Sequence, residues 1–364
     1  MTTATISRKG SSLVQLGERQ AGPQRGAWFG SGVFILLHVA CLAVLLTGTN
    51  VLALALCVAC YFFQIVGVTA GYHRYFSHRS YKTSRPFQFV LAWLGCSASQ
   101  KGPLWWAAQH RHHHRTSDTP EDLHSPVSHS LWWSHIGWVL SPASGAADRR
   151  LVKDLSRYPE LCWLDRYHGL PPLVLAGLCF LVGSWSGLVW GFFVSSVLSH
   201  HATFLVNSAC HLWGRQRYAT ADASRNNLFV ALLTMGEGWH NNHHHYQSSA
   251  NQGFRWWEID VSYYLIRLLA CGGLVWDVRK PPRAKLLAEI RTGLWPVSRR
   301  ADNSNASRRT CDETTTRGKP PAGRGDTLVL DRQAGNDRTR RAGDDPRCQP
   351  GHVRHGHERH GGGR

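Results

Sequence analysis

The chain has 364 residues, is 43% apolar with 16 tryptophans, and yet carries a formal charge of +18. That combination fits neither a uniformly apolar bundle nor a uniformly polar globule, so two kinds of sequence are joined and their placement matters more than the average. Ten cysteines are present, but Cys41, Cys57, Cys60, Cys179 and Cys210 lie inside apolar runs and nothing suggests a disulfide framework.

Residues 1–26 carry Arg8, Lys9, Arg19 and Arg25 and lack a small-residue cleavage site after a short apolar core, so they read as a cytoplasmic tail and not a signal peptide. Between Arg25 and Arg74 there is no Asp, Glu, Lys or Arg. The run divides at Thr47-Gly48-Thr49-Asn50 into segments 27–47 and 50–70, each long enough to cross a bilayer, which takes about 20 apolar residues. A second uncharged run, from Arg166 to Arg215, breaks at Gly183-Ser184-Trp185-Ser186-Gly187 and predicts spans 170–184 and 187–207. The expected fold is all-α and integral to the membrane, with four spans in two hairpins. Two buried hairpins of a soluble protein are the alternative. Lys and Arg concentrate outside the short hairpin loops, which puts both termini and the segment between hairpins on the cytoplasmic side. Residues 71–168 and 212–295 then form a helical cytoplasmic cap, within a membrane domain of residues 27–300. From residue 301 to 364 the chain is rich in Gly, Arg, Asp, Ser and Thr with few large apolar residues, which predicts a disordered, basic, solvated tail and no nucleic-acid partner.

Histidines crowd the ends of these spans. "GYHRYFSH" supplies His73 and His78, "QHRHHHR" His110, His113 and His114, "NSACH" His211, and "GEGWHNNHHH" His240, His243 and His244. Positions i, i+3 and i+4 share a helix face, so each trio can offer three imidazoles to one place. Nine nitrogen ligands exceed the six or so that one ion takes and predict two metals with open positions. A structural zinc site would use four ligands and favour Cys. Glu237 and Asn207 are the candidates for orienting the rings, Asn207 through a water. His112 and His245 break the repeating face, and His38, His200 and His201 read as packed or hydrogen-bonded.

The four motifs, in this order and with this layout of spans, resemble the histidine boxes of the membrane fatty acyl desaturases of the acyl-CoA and acyl-lipid Δ9 type. The resemblance covers about residues 28–291. It implies a non-haem diiron oxidoreductase that uses O2 and two electrons to remove two hydrogens from an unactivated acyl chain. By the same resemblance Gln100, Trp106 and Thr203 surround the bend of an acyl tunnel. Tyr61 and Ile65, one helical turn apart on the second span, close its floor at a chain near palmitoyl length. Ala108-Gln109 stands where animal acyl-CoA members carry an Arg-Asp pair that helps hold CoA. "RTSDTPEDLHSP" and "LWWSHIGW" are closer to bacterial members, some of which act on acyl lipids, and this implies a bacterial inner-membrane location. With no H-P-G-G haem motif, electrons are expected from a separate protein such as ferredoxin or cytochrome b5 with its reductase. The basic surface of Arg74, Arg79, Lys82, Arg85, Lys101, Arg111 and Arg115 suits an acidic donor. Two rivals remain from the residues alone: a diiron hydroxylase or methyl oxidase of alkanes or sterols, and a histidine-rich metal transporter.

Overall fold

A computed structural model describes residues 25–145 and 147–287; the two tails expected at 1–26 and 301–364 lie essentially outside the described residues. The first uncharged run forms helix α1 (Arg25–Ala40), prolonged through Cys41–Ala43 to Val44–Thr47, and helix α2 (Val51–Val66). Gly48 turns the chain at φ +67°, and the Asn50 side chain accepts the Ala53 N–H to cap α2. Beyond Val66, α2 continues without interruption as a wider helix, Gly67–Ser77.

Three helices among the described residues are long and apolar enough to cross a membrane: Gly30–Thr47, Val51–Ser77 and Leu170–Leu212. Where two spans and a loop are expected in the second run, the structure has one helical stretch of 43 residues, broken at Ser184. There φ is +54° and ψ −149°. The chain folds back on itself at this point. A Cβ on Gly187 would lie 2.5 Å from the Cys179 carbonyl oxygen, and one on Gly191 2.9 Å from Cys179 Sγ. A straight helix would keep residues 179 and 187 about 12 Å apart. The two limbs are α6 (Leu170–Leu188) and, after Val189–Val194, α7 (Ser195–Leu212). Ser186 Oγ and Trp190 Nε1 both donate to the Gly48 carbonyl, so the two turns meet at one end of the bundle. Large apolar side chains beside them stand in the open: Leu46 is 89% exposed and Leu181 79%. Hairpins buried in a soluble protein would hide those faces, so that alternative fails.

At the opposite end, helices α3 (Arg85–Ser97), α4 (Pro103–Thr116) and α5 (Pro159–Arg166) pack on the wide extension of α2 around Tyr72, Phe76, Leu91, Leu104, Leu161 and Leu164. Asp165 of α5 accepts the Leu104 and Trp105 N–H groups, capping α4 from outside. Short helices α8 (Leu228–Leu233) and α9 (His240–His245) and helix α10 (Val261–Cys271) complete the cap. A two-stranded ribbon, Lys82–Thr83 against Val275–Trp276, ties the chain after His78 to the chain after α10.

Candidate metal centre

The wide extension of α2 explains the five-residue spacing of its histidines. Its bonds run from i+5 to i: the His78 N–H donates to the His73 carbonyl at 3.2 Å. Residues five apart therefore stack, and the His73 and His78 rings sit with centroids 4.8 Å apart. The sequence suggested a helix end at this spacing; the structure makes it the period of the helix.

All nine predicted histidines come together, in two groups. His73, His78, His110, His114 and His243 form one, His113, His211, His240 and His244 the other; within each, the ring nitrogens lie within 4.8 Å of one another. The trios do not each serve one place, as their sequence spacing suggested. On an α-helix, i and i+4 differ by about 40°, while i+3 lies about 60° to the other side. So α4 sends His110 and His114 to the five-histidine group and His113 to the other, and α9 sends His240 and His244 to the four-histidine group and His243 across.

In the first group, His73 Nε2 and His243 Nε2 are 3.0 Å apart, His78 Nε2 and His110 Nε2 2.8 Å, and His114 Nε2 stands 2.9 Å from both His110 Nε2 and His243 Nε2. In the second, His211 Nε2 and His240 Nε2 are 3.0 Å apart, and His113 Nε2 and His244 Nε2 are buried with no hydrogen-bond partner. Burial, then neighbouring imidazoles, push His78, His110, His114, His240 and His243 well below the usual histidine range. Burial also takes His244 down to about 4, with Asp222 pulling the other way. Buried, convergent imidazole lone pairs are what metal ions require and what hydrogen bonding alone leaves unsatisfied, so the donor set fits two metals.

Carboxylates grip the far sides of four rings. His73 Nδ1 lies 2.5 Å from Glu237, His113 Nδ1 3.0 Å from Asp122, His211 Nδ1 2.9 Å from Asp118 and His244 Nδ1 2.6 Å from Asp222. A carboxylate accepts, so each Nδ1 holds the proton and each Nε2 is left as ligand. Glu237, a candidate for orienting the rings, lies beside His73. Asp118, Asp122 and Asp222 were missed: the first two follow the second histidine run directly and were legible as acids in a basic segment, whereas Asp222 has no local signal. Asp122 also faces His124 Nδ1 at 3.5 Å.

A cavity of ≈ 660 Å³ passes the centre, lined by His73, His110 and His240 and, further on, by Ile65, Val68, Leu188 and Phe192. Gln100, Trp106 and Thr203 line it and touch one another: Gln100 Nε2 donates to Thr203 Oγ1 at 3.0 Å, and Trp106 Nε1 lies 3.4 Å from Gln100 Oε1. Asn207 and Glu237 line it as well. Tyr61 is not among the lining residues; its hydroxyl donates to the Leu233 carbonyl at 2.7 Å. His112 bonds the Glu121 carbonyl, His245 the Lys285 carbonyl and His200 the Ser99 carbonyl, while His38 and His201 bond each other. The basic surface needs correcting at two positions. Arg74 is 1% exposed and paired with Asp260 and Glu237, and Lys101 lines the cavity, where burial pushes it down to about 8.

Fold and site together define a helical protein with two histidine clusters at one end of an apolar bundle and a long apolar cavity beside them. The model of the family described as "Fatty acid desaturase" matches residues 49–267. The chain is 40% identical over 225 residues to the sn-2 palmitoyl-lipid 9-desaturase of Nostoc sp. (strain 36), covering 60% of this chain and 79% of the relative. To the sn-1 stearoyl-lipid 9-desaturase of Anabaena variabilis it is 38% identical over 256 residues, 69% of this chain and 93% of the relative. To the palmitoyl-monogalactosyldiacylglycerol delta-7 desaturase of Arabidopsis thaliana chloroplasts it is 38% identical over 224 residues, 61% of this chain and 60% of the relative. The chain belongs to the fatty acid desaturase family.

Proposed function

We propose that this chain is an integral membrane desaturase that inserts a cis double bond, at Δ9, into a saturated acyl chain, using two irons, O2 and electrons from a separate donor protein. Fatty acyl desaturation is the chemistry of the family it belongs to; the position, the carrier, the metal and the donor are the proposal. The observation that carries the reading is the apolar cavity running past both histidine clusters, with Gln100, Thr203 and Trp106 in mutual contact on its wall. In this reading four spans cross the bilayer, the hairpin turns face outward, and the clusters sit at the cytoplasmic surface.

His73, His78, His110, His114 and His243 would hold one iron, and His113, His211, His240 and His244 the other. Bound there, the irons supply the O2-dependent oxidation that an unactivated C–H bond requires. The protein's part is placement. The Gln100–Thr203–Trp106 contact bends the chain so that chosen carbons lie beside His73, His110 and His240. Ile65 and Phe192 exclude water along the remainder.

Two features favour a lipid carrier over CoA. Among the described residues, the cavity lining holds a single lysine or arginine, Lys101, whose Nζ donates to the Ser144 carbonyl and stands 4.2 Å over the Trp105 ring. The several phosphate charges of CoA call for more cations. The lining also includes Leu36 of α1, 63% exposed, and Leu173 of α6, 70% exposed, so an acyl chain can enter sideways from the bilayer. The test is fatty-acid analysis of host membranes expressing the chain, beside a His113→Ala control and with double bonds mapped. A new cis-Δ9 monoene absent from the control supports the reading; a hydroxylated product moves the chain to a hydroxylase.

A further inference from the structure

The two histidine clusters differ in the charge packed behind them. In the four-histidine cluster three of four rings are backed by carboxylates, Asp118, Asp122 and Asp222, with side chains only 8%, 1% and 10% exposed. Among the described residues no lysine or arginine pairs with any of them. Asp118 otherwise accepts the Ser125 hydroxyl and the Ala223 N–H, Asp122 the N–H groups of Asp118 and His124, and Asp222 the Ser224 N–H. His124 Nδ1 also faces Asp122, at 3.5 Å.

Among the described residues the five-histidine cluster has one carboxylate, Glu237 on His73, and that one is shared with the buried Arg74 guanidinium 3.2 Å away. The far nitrogens of His73 and His243 otherwise meet the neutral Gln252 amide, at 3.3 and 3.5 Å. Burying three carboxylates without a cation is costly unless another positive charge is close. Here the positive charge that fits is a metal ion one imidazole away. A carboxylate on the far nitrogen also raises the basicity of a ligating histidine.

We propose that Asp118, Asp122 and Asp222 make the centre electronically unequal: the four-histidine cluster holds the more oxidised ion and binds it more tightly, and the five-histidine cluster is reduced first. Added negative charge and stronger ligands both favour the higher oxidation state, the same levers that set potentials in other iron sites. The three aspartates are positioning residues, acting through His211, His113 and His244. The assignment rests on the reading that both clusters hold iron.

The experiment is a redox titration of the purified full chain carrying iron, followed by Mössbauer spectroscopy after metal analysis. Fewer than two irons per chain would overturn the diiron reading and this proposal with it. With two irons, the expected result is two separate one-electron steps with a half-reduced state between them. Asp118→Asn, Asp122→Asn and Asp222→Asn should each move only the second, harder step toward easier reduction. Each should also speed chelator removal of one iron about 10–100-fold, whereas Glu237→Gln should move only the first step. Both irons reducing together in the unaltered protein would overturn the proposal with no variant needed. So would aspartate variants that shift the first step.

Discussion

Gln100 donates to the Thr203 hydroxyl across the cavity at 3.0 Å, while its other amide atom faces Trp106. This bond joins the turn after α3 to α7, and Thr203 Oγ1 in turn donates to the Ser199 carbonyl, which fixes its rotamer. A short polar bridge thus links two sides of a mostly apolar cavity, and in the proposed reading it sets the bend of the acyl chain. Thr203→Val keeps the shape and removes the acceptor, at a cost of about 1 kcal/mol. The expected outcome is a mixture of double-bond positions at near-normal total conversion. A product still confined to one position would show that Thr203 does not hold the bend.

Ile65 is 1% exposed and lines the cavity, whereas Tyr61, one turn earlier, is anchored to Leu233 outside it. The two residues should therefore separate. Ile65→Ala enlarges the cavity at this point and should raise the share of C18 over C16 products. Tyr61→Phe should leave chain length unaltered and lower the unfolding free energy by about 1 kcal/mol. Equal shifts in chain length from both variants would mean that Tyr61 reaches the substrate after all.

The nine histidines were legible because a helix repeats locally: i and i+4 can be read off a sequence, and so can a long uncharged run. How the trios divide between two clusters was not, because it depends on where α4 and α9 lie relative to each other and to His73 and His211. The same holds for Asp222, which meets His244 from a loop 22 residues away. Arg74 looked like a surface charge beside its motif, and only the fold shows Asp260 and Glu237 closing over it. The hairpin at Ser184 was marked by its glycines, yet one residue at positive φ does the turning.

Acid should destabilise the metal-depleted protein, and the sign follows from which state takes up protons. Burial holds His78, His110, His114, His240 and His243 well below 6.5, and His244 at about 4. As pH falls through 6.5 the unfolded chain protonates these rings and the folded chain does not. Stability is therefore lost progressively below 6.5, down to the folded values. Each ring contributes up to about 1.4 kcal/mol per pH unit in that window. Thermal midpoints should therefore fall as the pH drops below 6.5. A midpoint that is constant or rises over the same interval would show that the rings are not buried neutral.

Arg74 links the cap to the metal centre. One nitrogen donates to Asp260 Oδ1 and the Ala250 carbonyl, both at 2.9 Å, and the other faces Glu237, which holds His73. Asp260 also caps α10 through the Tyr263 N–H. Removing the guanidinium strands two buried carboxylates, and breaking a buried pair from one side costs about 3–5 kcal/mol. Arg74→Met should therefore lower the thermal midpoint sharply. Adding Asp260→Asn should recover part of that loss, since one stranded charge is gone while an amide can still accept the Tyr263 N–H. If the double variant were as unstable as the sum of the two single ones, the ion pair would not be what Arg74 contributes. Its packing among Ala250, Gly236 and the wide helix would then be the account to test.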